Sequence, residues 1–331
     1  MGSHRKLVVL IAAVIGMITP FAGSAAPPSG GATPSQLLTG LEGGSGSTIG
    51  PGGALYVAET AAGRISRVDP KTGDITTFAS GLPTQIVGIG GVMDVAFIGG
   101  TAYALVTLVS SDVGGSNIDG IYRVDGPDSF TVVADIGAFS ISNPPATPFD
   151  IPTGVQYALE TYRGGFLVTD GHHNRVLRVT LDGKVTQLIQ FGNIVPTGLA
   201  VAGNTVYMAE AGPVPHEPEN GKVVSFGPKS STATEVASGA PLLVDVEFGR
   251  GRTLYALSQG SFGGGPPGSP AAPNTGSLVK VNGNGTFTVL AGGLDRPTSL
   301  EFIGNTAYVV TLTGEIWKFD DVSGPPFGKW H

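Results

Sequence analysis

Five carboxylates recur at matching places along this chain, and their spacing is the first chemical clue. Glu59, Asp170 and Glu210 each stand three residues beyond a repeated anchor: Tyr56, Leu167 and Tyr207. Asp94 and Asp245 occupy a second matching position, in the runs Val92-Met93-Asp94-Val95-Ala96-Phe97 and Leu243-Val244-Asp245-Val246. Carboxylates that converge can ligate a hard cation such as Ca²⁺, which takes oxygen donors at flexible geometry. They can also do acid/base work, because crowding raises their pKa values. A third reading is structural, with each acid accepting backbone amides at a strand end or pairing with a nearby Arg or Lys.

Histidine adds a second possibility. Apart from His4 and the last residue, His331, the chain offers His172, His173 and His216. His173 follows Asp170 by three residues and His216 follows Glu210 by six, so a cluster of Asp170, His173, Glu210 and His216 could hold a transition metal or Zn²⁺. The candidate metal ligands are therefore Asp94, Asp245, His173 and His216. Nucleophilic chemistry finds less support. With no cysteine and no Gly-x-Ser-x-Gly elbow, thiol catalysis is excluded and a hydrolase triad has no anchor. The glycine run from Gly260 to Gly268 lacks the strand–turn–helix setting that phosphate binding needs.

The elements that must position these groups are repeats. The clearest copy reads Gly52-Gly53-Ala54-Leu55-Tyr56-Val57-Ala58-Glu59, then Gly63-Arg64-Ile65-Ser66-Arg67-Val68-Asp69, then Ile75-Thr76-Thr77-Phe78-Ala79-Ser80. The same order returns around Tyr103, Leu167, Tyr207, Tyr255 and Tyr308. Short alternating strand runs at this period predict an all-β, six-bladed β-propeller with four strands, a to d, per blade. Ser35 to Leu41 resembles a last strand, d, and the final copy lacks one. The ring is therefore expected to close by pairing the N-terminal strand with the last blade, leaving no open sheet edge. Insertions at Thr107–Asp119, Ala211–Asn220 and Gln259–Thr275 all fall between strands b and c, and the long connection Ile136–Asp150 opens on the same end. That loop-rich end is the expected mouth of a binding site. By repeat alignment the early strand-a positions there are Gly46, Asp94, Gly154, Gly198, Asp245 and Ser299.

Composition agrees. The 331 residues include 53 Gly and 25 Pro, with 41% hydrophobic and only 13% charged, enough apolar matter for a large core punctuated by turns. Residues 1–25 read as a secretory signal, with His4-Arg5-Lys6, an apolar stretch Leu7–Ile18 and the small residues Gly23-Ser24-Ala25. The expected organisation is signal 1–25, linker 26–33, propeller 34–321 and tail 322–331. Losing Arg5 and Lys6 moves the formal charge from −7 to −9. Such a surface repels nucleic acid and anionic membranes. The mature chain is expected to be a monomer, secreted or periplasmic, with no membrane span.

These residues resemble a known family. Gly53–Pro70, Val92–Phe97, Asn143-Pro144 with Pro148-Phe149, Val195–Gly198 and Leu243–Val246 are similar, in order and insertion pattern, to the ScyD/ScyE family, over about residues 34 to 320. The resemblance implies an exported six-bladed propeller, related in shape to NHL-repeat proteins, gluconolactonase-type lactonases and streptogramin lyases. The run Asp170–Val176 also resembles the NHL signature, which marks a turn. No histidine pair matches the lyases' catalytic one, and propellers host many unrelated functions. The leading expectation is a non-catalytic protein binding a small molecule, a cation or an extracellular protein at the channel mouth. The alternatives are a metal-dependent lactonase or lyase using the mouth carboxylates, and a structural envelope protein.

Overall fold

The computed structural model describes residues 33–323; the expected signal 1–25, nearly all of the expected linker 26–33 and most of the expected tail 322–331 lie outside the described residues. Within them the chain forms six four-stranded antiparallel sheets. Blade 1 comprises Gly44–Ile49, Leu55–Glu59, Arg64–Val68 and Ile75–Ser80; blade 2, Gly91–Ile98, Thr101–Thr107, Gly120–Gly126 and Ser129–Asp135. Blade 3 is Gln156–Tyr162, Gly165–Asp170, Arg175–Thr180 and Val185–Gln190; blade 4, Pro196–Ala202, Thr205–Glu210, Lys222–Phe226 and Thr234–Ser238. Blade 5 is Leu243–Phe248, Leu254–Ser258, Gly276–Val281 and Phe287–Leu294. Blade 6 has Pro297–Ile303, Thr306–Thr311 and Glu315–Phe319, and its fourth strand is Pro34–Thr39 from the other end of the chain. That strand pairs Pro34 with Phe319 and Thr39 with Glu315, and Gln36 Nε2 donates to Glu315 Oε1 at 2.9 Å. The ring closes as the repeat order predicts.

Burial explains the strand sequences. Strand b of each blade lies between neighbouring sheets and is almost wholly buried, so Leu55–Glu59 and Gly165–Asp170 read as continuous runs. The outer strands, such as Ile75–Ser80, expose most of their residues. The tyrosine anchors staple one blade to the next. Tyr56 packs on Phe97, Tyr103 on Phe166, Tyr207 on Phe248 and Tyr255 on Phe302, at centroid distances of 4.6 to 5.2 Å. Each such pair contributes about 0.5–1.5 kcal/mol beyond its buried area. Tyr308 completes the ring differently, its hydroxyl donating to Pro70 O of blade 1 at 3.1 Å.

The one α-helix among the described residues, Ile136–Ser142, sits in the connection between blades 2 and 3 and is capped by Asp135, which accepts Ala138 N. The all-β expectation holds apart from this turn and a few 3₁₀ turns. No helix among the described residues is long and apolar enough to cross a membrane. A β-bulge lies near the start of every innermost strand. Bulges re-aim side chains, and here they set which residues face the axis.

Candidate functional site: an acid-lined channel

The register of the inner strands places two rings of residues around the axis. In the first, Asp94, Asp245 and Ser299 stand opposite Leu105, Leu257 and Val310, each two residues past its anchor. The blade 3 member is Ala158, whose N–H donates to Thr169 Oγ1 at 3.0 Å while Leu159 pairs with Val168. It is not Gly154, because the bulge shifts the register. Two residues further along, Glu160, Glu247 and Glu301 pair directly with the anchors Leu167, Tyr255 and Tyr308, where other blades have Thr48, Ala96 and Ala200. Strand alternation puts these on the same face as the first ring.

Asp94, Glu160, Asp245, Glu247 and Glu301 therefore share one channel. Strands a and b of all six blades contain no Lys, Arg or His, so nothing on the strands nearest the axis balances these charges. Burial, and then Asp245, push the Glu160 carboxyl up to about 7; burial takes Asp245 to about 7 as well. Asp94, Glu247 and Glu301 are held well above the usual carboxylate range, first by burial and then by the other acids of the group. A cavity of about 330 Å³ opens against Glu160, Glu247 and Glu301, with Thr48, Phe97 and Phe302 also lining it. It lies toward the ends of the inner strands, where the a-to-b turns are, and so away from the long loops. A hollow of about 440 Å³ on the outer part of blades 4 and 5, beside Val236, Arg252 and Lys280, is remote from these acids.

The five carboxylates singled out from the repeats have separate fates. Asp94 and Asp245 line the channel, each spending its oxygens on backbone N–H groups. Glu59 is fully buried and saturated, accepting from Arg64 Nε and Nη2 at 2.7 Å, from Glu42 N at 2.6 Å and from Ser66. Burial alone would raise its pKa, but these donors hold it below the ordinary value. Asp170 accepts from Val155 N, His173 N and Arg175 Nε at 3.1 to 3.3 Å. Glu210 is buried, and burial lifts it to about 7; Lys222 across from it turns outward to Glu235 at 2.7 Å.

The proposed metal ligands are not assembled. His173 donates from Nε2 to Ile151 O at 3.0 Å and accepts Arg175 Nη2 on Nδ1 at 2.9 Å. Arg175, fully buried, also donates to Asn143 O and Ser140 Oγ. That network ties the helix Ile136–Ser142 and its connection to blade 3. His172 Nε2 accepts Asp150 N and Ile151 N at 2.9 and 3.1 Å, and burial lowers its pKa. His216 donates from Nδ1 to Gly212 O at 2.8 Å, with its ring against Phe262. Among the described residues no three His, Asp or Glu side chains stand close enough to hold a metal ion as they are.

Repeat matching missed Glu160, Glu247 and Glu301. The signal was available: each lies two positions beyond the first-ring position of its blade, and acids are out of place among the Thr and Ala of the equivalent residues.

The fold and channel place the chain among six-bladed β-propellers. Solved structures of that shape include a virginiamycin B lyase from Staphylococcus aureus (15% identity, TM-score 0.53, covering 87% of this chain and 98% of that one). They also include a gluconolactonase from Xanthomonas campestris (12%, 0.63, 90% and 95%) and a PQQ-bound aldose sugar dehydrogenase from Streptomyces coelicolor (15%, 0.55, 88% and 99%). At such identities the likeness establishes the fold, and these neighbours are enzymes. No protein-family model and no curated relative matches the chain.

Proposed function

We propose that this chain is an exported binding propeller of the ScyD/ScyE type whose ligand seat is the central channel, and that the ligand is a small organic cation. The observation that carries the reading is the group of five channel carboxylates, Asp94, Glu160, Asp245, Glu247 and Glu301, with no basic residue on strands a and b of any blade. Buried acids without counter-charges take up protons or cations. Because no three of them are gathered at metal-ligand distance, a cation that spreads its charge over several angstroms fits better than a bare ion. Ca²⁺, with its oxygen preference, is the competing occupant and requires the side chains to regroup. The leader-like residues 1–25, with a basic start, an apolar stretch and small residues at the end, support export.

Thermal-shift and calorimetric titration with aliphatic and aromatic amines, and with Ca²⁺, test this reading. A selective amine raises the melting temperature through preferential binding to the folded state, and Glu247→Gln/Glu301→Gln abolishes that shift. No shift with any amine or with Ca²⁺ at millimolar concentration overturns it.

A second reading has its own support. Carboxyls brought to about 7, as in Glu160 and Asp245, suit general acid/base catalysis at neutral pH, and the structural neighbours include a lactonase and lyases. Hydrolysis of aldonolactones that disappears in Glu160→Gln would establish a lactonase-like enzyme.

A further inference from the structure

The longest connection between strands b and c belongs to blade 5, residues Gln259–Thr275. It is built as an arm. Phe262 and Ala271 form an antiparallel bridge, Ala272 N donates to Ser261 O at 2.8 Å, and Ser261 N donates to Thr275 Oγ1 at 2.9 Å. Its base is buried, with Ala271 N donating to Gln259 Oε1 at 3.0 Å. Pro266, Pro267, Pro270 and Pro273 restrict its backbone.

Both sides of the arm come close to other blades. Phe262 lies 5.9 Å, centroid to centroid, from His216 in the blade 4 loop. At the tip, a methyl group placed on Gly268 would stand 3.4 Å from Ile89 Cδ1, ordinary van der Waals separation. Ile89 immediately precedes the inner strand of blade 2, Gly91–Ile98. In a ring of six, blades 2 and 5 face one another, so the arm spans the mouth from one side to the other. The acid-lined cavity lies toward the far end of the same channel.

We propose that the blade 5 insertion is a strap closing the loop-rich end of the channel, so that the cavity beside Glu160, Glu247 and Glu301 is reached from the turn end. The strap takes its meaning from the channel being the ligand seat, but its closure is measurable without a ligand. Its tip, turned by the bond from Ser269 N to Pro266 O at 3.0 Å, comes near Ile89 of blade 2, whereas the base is hydrogen-bonded and buried.

The chain has no native cysteine, so single cysteines report access directly. Met93→Cys samples the loop end of the blade 2 inner strand, where Met93 Sδ is 3.8 Å from Ser45 Oγ. Thr48→Cys samples the cavity wall. Reaction rates with Ellman's reagent are measured on the folded full chain, with the strap intact, with Ile89→Asp, and with residues 263–270 replaced by two glycines. With the strap intact, Thr48→Cys is expected to react at least tenfold faster than Met93→Cys. Either strap change is expected to accelerate Met93→Cys tenfold or more and to leave Thr48→Cys within twofold. Unchanged Met93→Cys rates in both variants, or a parallel rise at both positions, overturns the proposal. A chain that passes but binds no amine keeps the strap and loses the ligand; one that binds an amine with equal access at both ends does the reverse.

Discussion

Asp94 and Asp245 make the same inter-blade bond three blades apart. Asp94 Oδ2 accepts Leu159 N of blade 3 at 2.7 Å, and Asp245 Oδ2 accepts Leu300 N of blade 6 at 2.7 Å; the other oxygen of each accepts the following residue's N–H at 2.8 Å. The preceding blade gives way to each carboxylate: a side chain at Gly46 would strike Asp94, and one at Gly198 would strike Asp245. The ring thus repeats in halves, with a glycine, an aspartate and a backbone donor in succession.

Removing either link exposes its cost. Asp245→Ala leaves the Leu300 N–H without its acceptor, and a buried donor left unmade costs about 1–3 kcal/mol. Urea denaturation is expected to show a loss of that size, and a similar one for Asp94→Ala. Equal stability of both variants with the parent would show that water replaces the carboxylate.

The channel acids give stability a definite pH dependence. Glu160, Asp245 and Glu210 titrate near 7 in the folded chain, and Asp94, Glu247 and Glu301 are also raised. The folded state therefore holds more protons than the unfolded one between about pH 4 and 7. The stabilisation is complete below the unfolded carboxylate range of about 4 and is lost as pH rises through 7. Each proton involved contributes a slope of about 1.4 kcal/mol per pH unit in that window. Glu59 acts in the opposite sense, because its pKa is lowered; its contribution is lost only under more acidic conditions. Melting temperatures at pH 5 should exceed those at pH 8, and Glu247→Gln/Glu301→Gln should narrow the gap. A flat profile would contradict the burial of these acids.

Arg175 and Asp170 are both fully buried. Asp170→Ala strands the guanidinium beside Ser140 and Asn143 without its counter-charge, and breaking such a pair costs about 3–5 kcal/mol. The loss should appear in chemical denaturation, with faster proteolysis in the connection containing the helix Ile136–Ser142. Glu210→Gln, at the equivalent place in blade 4, should cost much less, because its lysine is already engaged with Glu235.

Ring closure depends on the first described strand. Deleting residues through Thr39 uncovers the edge Glu315–Phe319, and exposed edges pair with other chains. The truncated chain should melt earlier and elute as aggregates in size-exclusion chromatography. A monomer of unchanged melting temperature would mean that the sixth blade does not need its borrowed strand.

Much of the architecture was legible from local pattern. The anchors Tyr56, Tyr103, Leu167, Tyr207, Tyr255 and Tyr308 mark six blades because strand b must be buried on both faces. The order of strands at the two ends marks the closure, because an orphan fourth strand has one vacant edge to fill. Asp94 and Asp245 were legible for the same reason, as polar residues at one place in an apolar repeat. What the chain read alone determined is thus the number, order and inner face of the strands, all properties of a period of two within a period of one blade.

Only the tertiary structure decided which acids meet. Glu59 and Asp170 stand at matching repeat positions, yet each is consumed by an arginine on the neighbouring strand of its own blade. Glu160, Glu247 and Glu301 come together because the bulges set the register and the ring folds three distant segments onto one axis. The direction of residues 259–275 is of the same kind: Phe262 packs on His216 and Gly268 lies near Ile89, both far away in the chain. Repetition encodes faces, whereas charge partners and loop directions are settled between blades, where sequence distance carries no information.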